Sequence, residues 1–228
     1  MESATTDLAT ARIDLPSWED GVVRGGEAAA LAALYDPEVL LVTAPVPLGL
    51  RASEHAAALA EGPLGRSPVQ VPVQDGVPSA GRLEDLALRD RADAPAWVAY
   101  LEEVTTLFAT LLGARVVGVR QIVSEGPHCP RFHVDRVPAR GVVNVLGERT
   151  EWVGEGDVDR TRLGHAGGAD DATSGLLRPG ARLQRAETGT LAVFKGTAWP
   201  GAEERAVVHR SPPADGARRL LLTLDWVE

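Results

Sequence analysis

The stretch that says most about the fold and the chemistry of this chain is Cys129-Pro130-Arg131-Phe132-His133-Val134-Asp135. Side chains alternate between the two faces of a β-strand, so a strand here would direct His133 and Asp135 to the same side. An imidazole and a carboxylate placed in this way can bind one metal ion together. The segment therefore predicts a metal site on a strand, with His133 and Asp135 as two of its ligands.

A third ligand is expected downstream, at the end of another short strand. His209 lies in Val207-Val208-His209-Arg210-Ser211-Pro212, where apolar residues precede a turn marked by proline. Two histidines and one carboxylate form the facial triad of non-haem Fe(II) oxygenases, which leaves the opposite coordination positions open. The spacing predicts that His133, Asp135 and His209 bind one Fe(II) ion, with Zn(II) as the alternative metal.

Two basic residues near the predicted triad are candidates for binding an acidic cosubstrate. Arg219 follows His209 by ten positions, at the start of the last predicted strand. In 2-oxoglutarate-dependent oxygenases a basic residue about this far past the second histidine binds the distal carboxylate of 2-oxoglutarate. A guanidinium suits that role because it binds carboxylates through two parallel hydrogen bonds. Arg218 would point to the opposite face of the strand, and Lys195 is the alternative cosubstrate ligand.

Four further residues extend the candidate site. Cys129 is the only cysteine in the chain, which excludes an internal disulfide and a zinc site made of cysteines alone. Its thiol has three interpretations: a small buried apolar group, a fourth metal ligand, or a redox-sensitive group near the metal. We expect Arg131, Glu151 and Trp152 to line the substrate pocket, although an exposed strand pair is the alternative for the last two.

The amino-acid composition and the spacing of apolar residues change near the middle of the sequence. A polar N-terminal tail over 1–18 precedes an Ala- and Leu-rich region, 19–115, with apolar residues at helical spacing. Short Val- and Leu-rich runs separated by Gly and Pro fill 116–228, apart from a predicted Gly-rich loop at 154–180. These patterns predict an α+β protein with one domain over 19–228. Its helical N-terminal portion would pack on a C-terminal double-stranded β-helix of the cupin or jelly-roll type.

Individual elements can also be assigned. Helices are predicted at 19–35, 53–59 and 95–112, and an irregular connection at 61–80, where prolines and glycines are frequent. The predicted strands are 39–42, 115–123, 131–137, 141–146, 182–184, 190–194, 206–209 and 218–227.

Charge and hydropathy exclude several classes of function. The 228 residues include 32 acidic and 23 basic side chains, a net charge of −9 that repels phosphate backbones. The longest apolar stretch, 39–50, is too short to span a bilayer, and the N-terminus does not resemble a signal peptide. We therefore expect a cytoplasmic protein that acts on a small molecule, with no nucleic-acid or membrane partner. The oligomeric state stays open.

Several segments together resemble an uncharacterised bacterial family, domain of unknown function 1826. They are 129–135, 150–152, 193–196, 208–212 and 220–225, and the resemblance covers roughly residues 30–228. A wider similarity to cupin-like double-stranded β-helix oxygenases rests on His133, Asp135, His209 and Arg219. It implies a mononuclear Fe(II) oxygenase that uses 2-oxoglutarate to oxidise a small molecule.

Two alternatives to an oxygenase stay open. The family is often discussed beside metal-homeostasis genes, so the same triad is compatible with a zinc-binding store or sensor. A zinc hydrolase or lyase is the other alternative, and its general base would be Glu151.

Overall fold

An eight-stranded sheet and a three-stranded sheet form the framework of the computed structural model, which describes residues 20–164, 171, 173–213 and 216–227. The predicted tail at 1–18 lies outside the described residues, as does part of the predicted Gly-rich loop. Around that gap the loop contains two short 3₁₀ helices and a single bridge between Val158 and Leu177.

The elements follow one another along the chain as strands, α-helices and short 3₁₀ helices. The strands are β1 (Val22–Arg24), β2 (Leu41–Pro45), β3 (Gly65–Gln74), β4 (Val77–Pro78), β5 (Val116–Ser124), β6 (Ala139–Leu146), β7 (Glu151–Val153), β8 (Leu183–Arg185), β9 (Thr190–Lys195), β10 (Val208–Arg210) and β11 (Arg219–Trp226). The α-helices are α1 (Leu50–Ala60), α2 (Ala80–Leu83) and α3 (Ala94–Leu112). The 3₁₀ helices are Ala28–Tyr35, Glu84–Leu86, Glu155–Asp157 and Arg160–Arg162.

The large sheet combines strands from both halves of the chain. Its order is β1-β2-β9-β6-β11-β5-β3-β4, and that of the small sheet is β10-β7-β8. Among the described strands, β1 and β2 are parallel and the other pairs are antiparallel. Because β2 pairs with β9, and β3 pairs with β5, the two halves of the chain share the large sheet. We therefore propose that residues 19–228 form one domain.

The two faces of the large sheet have different partners, as the alternation along β11 shows. Leu220, Leu222 and Leu224 belong to the apolar core shared with α1 and α3. Leu221 belongs to a second apolar cluster, shared with Trp152 of the small sheet. The side chains of β11 at odd-numbered positions therefore lie between the two sheets, which is where a double-stranded β-helix holds its site.

Helix α3 lies close to the large sheet because its apolar stripe meets a glycine there. Trp97, Leu101 and Phe108 on this helix are fully buried. A Cβ atom at Gly141 of β6 would lie only 2.9 Å from Cδ2 of Phe108. The missing side chain of Gly141 thus makes room for the ring. Gly113 ends the helix in the left-handed conformation at φ 64°, which glycine adopts without a steric penalty.

The helices predicted at 53–59 and 95–112 and most predicted strands are confirmed, with boundaries shifted by up to three residues. The helix predicted at 19–35 is wrong in part, because β1 and the 3₁₀ helix Ala28–Tyr35 lie there. The irregular connection predicted at 61–80 is wrong, because that region contains β3, β4 and the start of α2. Pro68 and Pro72 of β3 are tolerated near the sheet edge, where proline removes no essential ladder hydrogen bond. Residues 19–115 are consequently not a purely helical cover, since they supply β1 to β4 as well as the helices.

A continuous strand at 131–137 was also a wrong prediction. His133 makes a single antiparallel bridge with His209, and the residues on either side are irregular. In the part of the chain that the structure describes, no helix is both long enough and apolar enough to cross a membrane.

The Phe108 contact gives a test of the packing between helix and sheet. We expect Phe108→Ala to lower the free energy of unfolding by about 3–5 kcal/mol, because a fully buried ring is lost and a cavity remains. Urea denaturation followed by circular dichroism measures this loss. Leu107→Ala is the matched control, since the neighbouring Leu107 is only half-buried, and an equal loss in both variants would contradict this packing.

Candidate metal centre

The structure brings His133, Asp135 and His209 together between the two sheets. One potential ligand atom of each residue lies within 4.8 Å of those of the other two. Strand β10 supplies His209, while His133 is fixed to it by two main-chain hydrogen bonds of 3.0 Å, one in each direction. The two imidazole rings are consequently adjacent, with centroids 4.5 Å apart.

Each histidine ring is oriented by its own backbone. Nδ1 of His133 lies 2.9 Å from the carbonyl oxygen of Arg131, and Nδ1 of His209 lies 3.0 Å from that of Val207. A carbonyl oxygen can only accept, so Nδ1 carries the proton in both rings. In the neutral form Nε2 then presents a lone pair, as a metal ligand requires.

Asp135 has one oxygen engaged and one free. Its Oδ1 accepts a hydrogen bond of 2.8 Å from Nη1 of Arg140. Its buried Oδ2 has no hydrogen-bond partner and lies 3.3 Å from Nε2 of His209. A neutral His209 that donates from Nδ1 cannot also donate from Nε2. Lone pairs of Asp135 and of both histidines thus converge without a donor between them, and this donor set fits a divalent metal ion.

Burial and charge keep these groups in the forms that bind metal. Burial lowers the pKa of the His133 imidazole, and the nearby His209 lowers it further. Burial acts to raise the pKa of the Asp135 carboxyl, but its contacts with His209, Arg140 and His133 outweigh this and lower that pKa to about 2. At neutral pH the structure therefore favours a neutral His133 and an ionised Asp135.

Arg140 connects Asp135 to the large sheet. Its Nε donates 2.7 Å to Oδ1 of Asp225 on β11, while its Nη1 binds Asp135. Arg120 of β5 forms an ion pair with the other oxygen of Asp225. The carboxylate of Asp135 is thus held by the guanidinium of Arg140, which is itself held by the carboxylate of Asp225.

The loop after Asp135 depends on a glycine in the strand connection that follows β9. Main-chain N–H of Thr197 donates 2.9 Å to the carbonyl oxygen of Asp135. A Cβ atom at Gly196 would lie 2.0 Å from the carbonyl oxygen of Val137 and 2.8 Å from that of Asp135. Glycine at this position is therefore necessary for the close approach of the two backbones.

A cavity of about 240 Å³ opens onto the two histidines. Its lining residues come from both sheets and from the segment before His133: Arg66, Arg120, Ile122, His128, Cys129, His133, Arg140, Val142, Thr150, His209, Arg210, Ser211, Leu221 and Thr223. Cys129 is exposed and lines this cavity, but among the described residues its thiol does not join the group of three potential ligands.

Arg219 lies between the sheets, as its position on β11 requires. It is 5% exposed, and its guanidinium donates to Ser211 Oγ at 3.3 Å, Asn144 Oδ1 at 3.0 Å and Thr150 Oγ1 at 2.8 Å. Its buried Nε has no partner, and no carboxylate of the described residues forms an ion pair with it. Burial lowers its pKa to about 10, so the group is still a cation at neutral pH.

Arg218 and Lys195 do not line the cavity that opens onto the two histidines. Arg218 points to the opposite side of β11 and donates to the carbonyl oxygens of Ala60 and Gly62. The buried ammonium of Lys195 donates 2.9 Å to the carbonyl oxygen of Asp36. Lys195 also alternates with Phe194, whose ring lies beside His209, so it projects away from the metal ligands. This placement does not support Lys195 as the cosubstrate ligand.

The three residues expected in the substrate pocket do not line the 240 Å³ cavity. Arg131 is exposed, and its carbonyl oxygen rather than its guanidinium orients His133. Glu151 is buried between Arg185 and Arg210; burial acts to raise its pKa, but the hydrogen bonds from these two arginines lower it. Trp152 lines a separate cavity of about 740 Å³.

The sequence analysis missed the residues that surround the ligands and Arg219. Asn144, Thr150 and Ser211 position Arg219, and Arg140 holds Asp135. Alternation along β6 provides one signal that was available, because Arg140, Val142 and Asn144 occupy the same face of that strand.

Comparison with solved structures defines the class of fold. The dioxygenase for auxin oxidation from rice is similar with a TM-score of 0.55 and 14% identity, covering 90% of this chain and 82% of that chain. Dioxygenase for auxin oxidation 1 from Arabidopsis thaliana, in its binary complex with 2-oxoglutarate, gives a TM-score of 0.52 and 11% identity. That match covers 88% of this chain and 87% of the plant protein. At these identities the similarity shows the fold, which is the jelly roll of 2-oxoglutarate- and Fe(II)-dependent oxygenases.

The chain belongs to the family described as "Protein of unknown function (DUF1826)", whose model matches residues 25–225. No curated protein matches the sequence.

The three-residue group gives a direct test of metal binding. We expect His133→Ala to weaken binding of a divalent metal by more than about 100-fold, because one of three ligands is lost. Calorimetric titration of the apoprotein with Zn(II) or anaerobic Fe(II) measures the affinity. His128→Ala is the control, since His128 lines the same cavity outside the group of three. Equal affinities in the two variants would rule out His133 as a ligand.

Arg140 provides a test of how Asp135 is held. Removing its guanidinium frees Oδ1 of Asp135 to rotate, so we expect Arg140→Gln to weaken metal binding by about 10–100-fold. The same titration applies, with the exposed neighbour Arg136 changed to Gln as the matched control. An unchanged affinity in Arg140→Gln would show that the Asp135 side chain needs no such support.

Proposed function

We propose that this protein is a mononuclear non-haem Fe(II) oxygenase that uses 2-oxoglutarate to oxidise a small molecule. One observation carries the proposal. Three convergent lone-pair donors lie beside a cavity between the sheets, and a buried arginine that forms no ion pair with a described carboxylate contacts two residues of that cavity's lining. The fold, which is that of 2-oxoglutarate- and Fe(II)-dependent oxygenases, supports the same interpretation. The proposal also places the protein in the cytoplasm, with neither nucleic acid nor membranes among its partners.

In this proposal His133, Asp135 and His209 hold the metal on one face. The two imidazoles bind through Nε2, since Nδ1 of each is engaged by a backbone carbonyl. Asp135 binds through Oδ2, since Oδ1 is engaged by Arg140. Bound Fe(II) would supply the activation of dioxygen that oxidises the substrate.

Arg219 is proposed to bind the distal carboxylate of 2-oxoglutarate. A buried cation without a counter-charge is unfavourable, because desolvation costs free energy that no ion pair offsets. A carboxylate would supply that counter-charge and a partner for the free Nε of Arg219. The hydroxyl groups of Thr150 and Ser211 contact Arg219, and these two residues line the cavity that opens onto the histidines, which supports this role.

Apolar packing beside the ligands would keep water from the reacting groups. The ring of Phe194 lies 5.0 Å from the His209 ring, centroid to centroid, and Trp152 packs against the far side of Phe194 at 6.2 Å. Val142 and Leu221 line the cavity from the large sheet. An environment of low polarity strengthens the electrostatic interactions made inside it.

The two alternatives receive less support from the geometry. A zinc hydrolase or lyase would need a general base, and Glu151 is engaged by two guanidiniums and has a lowered pKa. A soft four-coordinate zinc store would need Cys129 as a ligand. Within the described residues Cys129 lies outside the ligand group. The triad itself also fits Zn(II), and the metal-binding experiment distinguishes Zn(II) from Fe(II).

The test combines Fe(II), 2-oxoglutarate and visible absorption under anaerobic conditions. We expect a charge-transfer band when 2-oxoglutarate is added to the Fe(II) protein. Arg219→Gln should raise the 2-oxoglutarate concentration needed for half-saturation about 10–100-fold, because charged hydrogen bonds contribute about 1.5–3 kcal/mol each. Its Fe(II) affinity should be unchanged.

Controls separate cosubstrate binding from folding. Arg218→Gln removes the adjacent guanidinium on the other face of β11 and should leave the band unaltered. Arg219→Lys keeps a cation in the buried site and should fold even where Arg219→Gln does not. Stoichiometric Fe(II) without a band in the wild type would remove 2-oxoglutarate from the proposal. No Fe(II) binding at all would favour zinc.

A further inference from the structure

The cavity that opens onto the metal ligands is strongly basic. Four of its lining residues are arginines, namely Arg66, Arg120, Arg140 and Arg210, and three are histidines. No aspartate or glutamate is among the described residues that line it. A divalent metal would add further positive charge. The cavity is thus suited to anions although the whole chain carries a net charge of −9.

Three of these arginines are already held by carboxylates behind the cavity wall. Arg140 lies between Asp135 and Asp225, and Arg120 shares Asp225 with it. Two carboxylates therefore face these two guanidiniums, and Asp225 is shared between them. Arg210 forms ion pairs with Glu151 and Asp171 and packs over the Phe132 ring.

Arg66 differs from the other three arginines. It is exposed on β3, and among the described residues no carboxylate forms an ion pair with it. Its register partner on β5 is Ile122, so both side chains lie on the face of the large sheet that carries the cavity. Arg120 precedes Ile122 by two residues on β5, so its side chain lies on that same face. Its side chain is 34% exposed. Arg66 and Arg120 thus form a basic pair at the accessible side of the cavity.

This basic pair is separate from the group proposed to bind the cosubstrate. Arg219 lies at the start of β11, where Ser124 of β5 is its register partner. The partner of Arg120 on β11 is Thr223, four residues further along the strand. Residues along a strand are about 3.4 Å apart, so Arg219 and Arg120 are separated by roughly 13 Å along the sheet. The carboxylates of 2-oxoglutarate, held by the metal and Arg219, would leave Arg66 without an anion and Arg120 with only its share of Asp225.

We propose that the substrate oxidised at this centre is a small anion, whose phosphate or carboxylate group is bound by Arg66 and Arg120. This inference rests on the proposed oxygenase function, because it names the class of molecule that would reach the metal. A guanidinium binds either group through parallel hydrogen bonds, and Arg66 has its donors free. The net charge of the chain opposes a polyanion such as nucleic acid, so the anion is a small one.

The experiment measures anion binding to the complete complex of protein, Fe(II) and 2-oxoglutarate without oxygen. Phenyl phosphate and benzoate are the two anionic probes, and benzyl alcohol is the neutral one. We expect the anions to bind more tightly than the alcohol in calorimetric titration. The tighter of the two anions identifies the preferred group. Arg66→Gln should weaken the anions about 10-fold and leave the alcohol unaffected.

Two further variants make the outcome specific to position. Arg66→Lys keeps the charge and should retain most of the affinity. Arg51→Gln removes an equally exposed arginine from α1, on the opposite side of the large sheet, and should have no effect. Raising the ionic strength from about 0.1 to 1 M should weaken the anions, because the screening length falls from about 10 to 3 Å.

The failures of the two proposals are distinguishable. Equal anion affinities in the wild type and Arg66→Gln, or no preference over benzyl alcohol, would overturn the anionic substrate. The absorption band of the Fe(II) and 2-oxoglutarate complex would remain in that case. If the band is absent from the wild type, the oxygenase proposal fails first. Titration of the zinc-loaded protein would then show whether Arg66 binds an anion for another purpose.

Discussion

Two main-chain hydrogen bonds between His133 and His209 hold the two imidazoles side by side, and the rest of the site depends on them. Few other contacts fix the segment that carries His133 and Asp135, because it is not part of a regular strand. Ser211 N–H binds the carbonyl oxygen of Cys129 at one end, and Thr197 N–H binds that of Asp135 at the other. The ligand positions are thus set by backbone geometry, while the side chains around them adjust charge. This arrangement explains why a glycine at position 196 matters as much as the ligands themselves.

The sequence pattern paired His133 with Asp135 for a reason that is only partly correct. Alternation along a strand was expected to align His133 with Asp135, yet the structure has a single bridge at His133 and irregular backbone on either side of it. Periodic apolar patterns were sufficient for α3 and for the core strands, since burial on one face imposes that periodicity. Strand β3 was missed because its prolines indicate a loop, and only its neighbour β5 shows that it is a strand near the sheet edge. Arg140 could not be paired with Asp225 before the register of β6 and β11 was known.

Charge is distributed unevenly between the surface and the interior. The chain as a whole is acidic, but arginines are concentrated between the sheets and around the metal ligands. Most are matched by buried carboxylates, as Asp225 shows with Arg120 and Arg140. Arg219 instead donates its hydrogen bonds, among the described residues, to neutral acceptors, an amide oxygen and two hydroxyl groups. Hydrogen bonds of this kind orient a guanidinium without neutralising it, which preserves its attraction for an incoming acid.

The position of β11 has a consequence for how the protein is made. This strand comes last among the elements, yet it lies in the middle of the large sheet, between β5 and β6. Until residues 219–226 have been synthesised, β5 and β6 have no strand between them, and α1 and α3 lack the leucines of β11 that belong to their apolar core. Contacts between segments so far apart in sequence form slowly, because a long loop must close first. A nascent chain therefore cannot complete the large sheet until translation has passed this strand.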